Sequence, residues 1–383
     1  MRDPRPRRPW RAAGPQSVTF VELFFDLVFV FAVTQITAFT AHHLTPDGVL
    51  QAILLFWLIW WAWTQFTWTL NPADTTHRAV RITTLVATAT AFVMATAVPG
   101  AFGDDGLWFA IPYVVVRVLG LGLQVRVDSE IAGSDHSGLR RWVALSSIGL
   151  VLVLVGAFAD PGIRPFVWGL AIVADLVAAA RAGSRESWDL DPAHLAERHG
   201  LIVIIALGES VIVAGAGVIG EPRSIELIAA VGGALVVACL LWWTYFGWLK
   251  DALEHAFAAA DPRRYGTLAR DVYSLTHFPL IGGIIGFAAA VEEIVAHPAD
   301  VAPPSVVAAL GVGIVLFIGS SALAYRRVTG RLLPARIAAS GLVVIALAGA
   351  GALTSLPAWL FAAVAVVLTG LIVKEEWSLP LTA

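Results

Sequence analysis

Charge is scarce in this sequence: Asp, Glu, Lys and Arg make up only 14% of its 383 residues. Soluble chains carry roughly 25%, so most of this surface does not face water. Cysteine is scarcer still. The single Cys239 lies in an apolar run and excludes both an intramolecular disulfide framework and a multi-cysteine metal site. A lone cysteine of this kind reads as a small core residue. No GxSxG, HExxH or Walker-type segment occurs, which leaves hydrolase and ATPase readings without support. The nine histidines form no metal-ligand grouping, and no cofactor, metal or nucleic-acid partner is expected. Net charge is −3, too near balance to point to a polyanionic or polycationic partner.

What is abundant is apolar sequence. Hydrophobic residues reach 58% and the mean hydropathy is +0.78. Apolar stretches of about 20 residues, the length that crosses a bilayer, recur at roughly 18–40, 48–70, 79–98, 107–127, 141–159, 163–181, 199–220, 225–249, 271–296, 304–325, 337–353 and 357–373. The reading is an all-α, polytopic transmembrane bundle of about twelve spans, the last two short enough to form instead a hairpin that does not cross fully. The first run carries Glu22 and Asp26, unlike the uncharged 7–15-residue core of a signal peptide, so it is expected to stay as an anchor. Basic residues supply an independent test. With the N-terminus inside, the outer loops hold only Arg164 and Arg223 of the 25 Lys and Arg, and Arg117 lies mid-span. All others fall on the inner side, as the positive-inside rule requires. The expectation is a multi-pass membrane protein with cytoplasmic N- and C-termini. The segment Lys250–Ala260 reads either as a surface-lying amphipathic stretch or as a helix extension.

Twelve spans suggest two six-helix halves, related as a parallel pseudo-repeat. Glu22 and Glu197 take equivalent places, as do Trp60-Trp61 and Trp242-Trp243, and Asn71-Pro72 and Asp261-Pro262. The expected organisation is an Arg/Pro-rich tail over 1–17, a first half over 18–181, a linker over 182–198, a second half over 199–373 and a tail over 374–383.

Ionisable groups at membrane depth cost at least ~2.5–3.5 kcal/mol each on insertion scales, so each asks for a reason. Here they are Glu22, Asp26, Arg117, Asp175 and Glu209, with His277 near an inner end. Glu22 and Asp26 stand four apart, so both carboxylates leave one helix face. Arg117, near the bilayer centre, is their expected counter-charge. Glu209 lies at mid-depth, where transporters place ion and substrate sites. Two readings stand side by side: an ion or proton pathway, or static ion pairs that fix helix packing. In the second span Trp57, Trp60, Trp61, Trp63 and Trp68 cover about 17 Å of depth, more than an interfacial belt. Trp57, Trp61 and Trp68, with Gln65, share a face that lines a cavity or packs against neighbouring helices. The GxGxxG at Gly215–Gly220 lacks the preceding strand of a dinucleotide site. It reads, like Gly282 and Gly286, as close helix packing.

The run VTFVELFFDLVFVFAVTQIT at 18–37 resembles the opening signature of the bacterial low-temperature-requirement protein A (LtrA) family, and ERHGLIVIIALGES at 197–210 resembles its second recurrent stretch. The resemblance marks Glu22, Phe24, Phe25, Asp26, Gln35, Glu197, His199, Gly208 and Glu209 and implies an integral protein of a bacterial plasma (inner) membrane, without implying an activity. The function expected from the residues is secondary transport or ion conduction, with Glu22, Asp26 and Glu209 responding to a proton or small cation and Gln35, Arg117, Asp175 and His277 completing the set. An intramembrane lipid-modifying enzyme and a non-catalytic scaffold or sensor are the alternatives. Besides the lipid bilayer and a proton or cation, oligomerisation is left open.

Overall fold

Proline and glycine punctuate the apolar runs, and between them the chain coils into helices. The computed structural model describes residues 9–130, 137–182, 190–352 and 356–376. The expected N-terminal arginines before residue 9, residues 183–189 of the 182–198 linker, the turn at Thr354 and the last seven residues lie outside these. The described residues form twelve helices and, apart from two isolated bridges, no β-structure. The helices are α1 (Phe20–His42), α2 (Pro46–Leu70), α3 (Arg78–Thr96), α4 (Gly106–Asp128), α5 (Ser137–Phe158), α6 (Arg164–Ala182) and α7 (Pro192–Ala216). They continue with α8 (Ile225–Ala258), α9 (Pro262–Ala296), α10 (Pro304–Thr329), α11 (Pro334–Ala352) and α12 (Ala358–Glu376). Among the described residues nine of them, all but α6, α11 and α12, are long and apolar enough to cross a membrane. An all-helical, polytopic bundle follows, since in hydrocarbon a helix satisfies its own backbone groups.

Three boundaries differ from the sequence reading. α7 begins at Pro192 instead of near 199, because Asp191 caps it. The Asp191 carboxylate accepts the N–H groups of Ala193 and His194 at 3.0 and 3.3 Å, and Pro192 occupies the first turn, where its missing N–H costs nothing. α8 runs past 249 through a π-helical turn at Tyr245–Leu249, so Lys250–Ala258 is a helix extension. α9 likewise starts early, at Pro262, and passes through a π-helical turn at Ala269–Leu275.

The chain divides into two compact units. One comprises Met1–Ala32, Trp57–Arg198 and Asp261–Thr267; the other comprises Val33–Phe56, His199–Ala260 and Leu268–Ala383. In the first unit, α3 turns a stripe of small residues inward (Thr84, Ala87, Thr88, Ala91 and Ala95) and exposes Ile82, Leu85, Val86 and Phe92. An apolar outward face of this kind suits hydrocarbon, not water. Thr84 and Thr88 return their hydroxyls to the carbonyls of Val80 and Thr84, so their burial leaves no polar group unsatisfied. Arg164, read from sequence as an outer-loop residue, is buried. Its guanidinium donates to the carbonyls of Ala101 and Gly103 at 2.7 Å and to those of Gly156, Ala157 and Ala159, tying two helix turns together.

In the second unit α9 and α10 meet backbone to backbone. A Cβ placed on Gly283 would stand 2.5 Å from the carbonyl oxygen of Gly313 and 2.7 Å from the nitrogen of Phe317. The close approach expected at Gly282 and Gly286 holds at Gly286, where a Cβ would meet the Ala309 carbonyl at 3.5 Å and the Gly313 Cα at 3.6 Å, but is tightest at Gly283, while a Cβ on Gly282 meets Phe56 at 3.7 Å. Gly217 of the GxGxxG run does serve packing: a Cβ there would meet Val295 at 2.5 Å.

Candidate functional site

The first unit holds two buried charge clusters. In the first, Glu22 and Asp26 leave the same face of α1, one turn apart, and both reach Arg198 of α7. Arg198 Nη1 donates to Glu22 Oε1 at 2.8 Å and Nη2 donates to Asp26 Oδ1 at 2.5 Å. All three side chains are wholly buried. The α2 indole of Trp63 donates to the same Asp26 oxygen at 2.7 Å, and the guanidinium of Arg198 sits 5.9 Å from its ring centroid. Glu22 Oε2 accepts the backbone and hydroxyl of Thr19 at 2.9 and 2.8 Å, while Oε1 also faces His194 Nε2 at 3.1 Å. Asn71, at the end of α2, contacts His194 Nδ1 at 3.3 Å and exchanges two hydrogen bonds with the backbone of Asp191. Among the described residues Asp26 Oδ2 has no hydrogen-bond partner.

The second cluster is a balanced pair. Arg117 of α4 donates to both oxygens of Asp175 on α6, at 3.4 and 3.2 Å, and to Tyr113 Oη at 2.8 Å. Gln65 of α2 accepts from Arg117 Nε at 2.5 Å and donates to the Arg117 carbonyl at 3.2 Å. The expected pairing of Arg117 with Glu22 and Asp26 is thus corrected: Asp175 takes Arg117, and Arg198 serves the α1 carboxylates. Sequence reasoning missed Arg198 because it placed residues 182–198 in a loop. The Asp191-Pro192 cap was the signal that could have found it. Trp57 and Trp61 are buried and stacked at 5.2 Å, with Trp142 of α5 at 6.4 Å from Trp61. Trp68 is half-buried.

In the second unit Glu209 of α7 is buried, and its Oε2 accepts the hydroxyl of Thr34 on α1 at 2.6 Å. Among the described residues it has no ion-pair partner within 4 Å, although a carboxylate removed from water ordinarily takes a cation or a proton. Gln35 is half-buried on α1. His277 of α9 is wholly buried between the hydroxyl of Tyr245, 2.8 Å from Nε2, and the carbonyl of Val272, 2.9 Å from Nδ1. The two acceptor and donor roles fit a neutral imidazole protonated at Nδ1. Tyr245 and Val272 both belong to the π-helical turns, which commonly mark functional positions. Among the described residues no group of three His, Cys, Asp or Glu could hold a metal ion.

Apolar helices with exposed hydrophobic faces and ionised groups paired inside define an integral, multi-pass membrane protein. The comparison with known families makes this specific. Residues 17–373 match the model of the bacterial low temperature requirement A protein (LtrA), and the chain belongs to that family. It is 30% identical over 328 residues to an uncharacterized protein of Rhizobium meliloti (strain 1021), covering 82% of this chain and 78% of that one. No solved structure matches it.

Proposed function

We propose that the protein is a secondary transporter or ion-conducting protein of the bacterial plasma (inner) membrane, in which the buried carboxylates of α1 and α7 bind a proton or small cation. One observation carries this reading: Glu22 and Asp26, both sequestered from water, share a single guanidinium. A structural ion pair is balanced, as Arg117 with Asp175 is. Two carboxylates on one arginine leave room for one more positive charge, and a group whose charge can be filled or emptied is what ion coupling needs. Glu209, which accepts the neutral hydroxyl of Thr34 and has no ion-pair partner among the described residues, supports the reading independently. Both termini are cytoplasmic in this reading, on the strength of the Lys and Arg distribution.

The test is flux in proteoliposomes under imposed proton, sodium and potassium gradients. Wild-type protein is expected to carry at least one of these ions, and Glu209→Gln to lose most of the flux while remaining folded. Absence of flux under every gradient with well-folded protein would overturn the reading.

A further inference from the structure

We infer that the site formed by Glu22 and Asp26 takes a proton, carried on Asp26 Oδ2, and not a metal cation. This names the ion at the site on which the transport reading rests. The groups facing Asp26 are Glu22 on its own helix, Trp63 from α2 and Arg198 from α7, while Glu22 in turn faces Thr19, Arg198 and His194, with Asn71 of the α2 end behind His194. Glu197, also on α7, turns to the backbone N–H of Val18 at 3.2 Å. With both carboxylates ionised and Arg198 positive, the cluster would hold one uncompensated negative charge away from water, which is strongly disfavoured. One further positive charge must come from His194, from a metal ion, or from a proton on a carboxylate.

His194 does not supply it. The Asn71 amide is oriented by two bonds to Asp191: Oδ1 accepts the Asp191 N–H at 2.8 Å and Nδ2 donates to its carbonyl at 3.0 Å. Turning the amide over would break both. Nδ2, which can only donate, therefore faces His194 Nδ1 at 3.3 Å. That nitrogen must carry a lone pair, leaving the one ring proton on Nε2, 3.1 Å from Glu22 Oε1. The imidazole is neutral. A metal ion does not supply it either. Hard cations bind through oxygen, whereas the partners of Asp26 Oδ1 are the indole N–H of Trp63 and the Arg198 guanidinium. Glu22 Oε1 takes Arg198 and faces His194, and Oε2 takes both groups of Thr19. The carboxylate oxygen left over is Asp26 Oδ2, which lacks a partner among the described residues. A proton there makes the cluster neutral.

Infrared spectroscopy of the full-length protein in nanodiscs reads this directly. At neutral pH the wild type is expected to show the carbonyl stretch of a protonated carboxylic acid, sensitive to deuterium exchange. It is lost in Asp26→Asn, shifted in Asp26→Glu, retained in Glu209→Gln and unmoved by added sodium or potassium. Asn71→Asp adds a carboxylate beside His194 Nδ1 together with the proton the imidazole then takes, so the charge balance at Asp26 is unchanged and its band is retained. Spectra of wild type and Asp26→Asn that coincide, with Asp26→Glu also unchanged, would overturn the inference. So would a band abolished by sodium or potassium. Because the band is read without a gradient, it stands or falls separately from any failure of flux.

Discussion

Removing the guanidinium at position 198 is the most informative single perturbation. Arg198 is wholly buried, bonded to two carboxylates at 2.8 and 2.5 Å, and packed on Trp63. Arg198→Met keeps an unbranched side chain and deletes the charge. Glu22 then remains ionised beside a neutral imidazole. Breaking a buried pair from one side costs about 3–5 kcal/mol, most of it the penalty of the charge left behind. Asp26→Asn exchanges one neutral group for another and keeps an acceptor for Trp63, so its cost should stay within about 1 kcal/mol, that of a single hydrogen bond. In the double variant Glu22→Gln with Arg198→Met, no charge is stranded, and the coupling between the two sites should return about 0.5–3 kcal/mol. The assay is equilibrium unfolding in mixed detergent–SDS micelles followed by the fluorescence of the 15 tryptophans. An Arg198→Met cost under about 1 kcal/mol, the range of exposed ion pairs, would refute the reasoning. An Asp26→Asn cost equal to that of Arg198→Met would mean that Asp26 is ionised in the folded protein.

Other outcomes follow from the same structure. Gly283→Ala forces a methyl against the Gly313 carbonyl and should cost about 1–3 kcal/mol by overpacking, while Gly282→Ala, open to Phe56 at 3.7 Å, should cost less in the same unfolding assay. Arg117→Leu strands Asp175 and should cost about 3–5 kcal/mol, with Arg117→Leu/Asp175→Leu recovering much of it. Asp191→Ala removes the α7 cap and should cost about 0.5–2 kcal/mol, seen as faster amide exchange at Ala193 and His194.

Periodicity and hydropathy made the helices legible, because an apolar run of span length has few ways to satisfy its backbone in lipid. The i, i+4 geometry of Glu22 and Asp26 was legible too, and both do reach one partner. Which arginine that partner was could not be read from depth alone. The sequence reading took Arg117 and left Arg198 in a linker, and the difference turned on whether α7 begins before or after Arg198, a matter of one capping residue. Trp63 hid among its tryptophan neighbours, since the helical face chosen as special carried Trp57, Trp61 and Trp68. The Gly283–Gly313 contact was missed by one residue, because a small-residue pair specifies a helix face but not the point at which two backbones touch. Neutrality at His194 lay beyond the sequence altogether: it depends on the orientation of the Asn71 amide, set by backbone atoms of Asp191.

The most direct test of ion coupling is proton entry into vesicles bearing wild type or Asp26→Asn at equal density under the same imposed pH gradient. Proton flux in wild type that falls at least tenfold in a folded Asp26→Asn protein is the expected result. Equal rates in the two would contradict the account and return Glu22, Asp26 and Arg198 to a purely structural role.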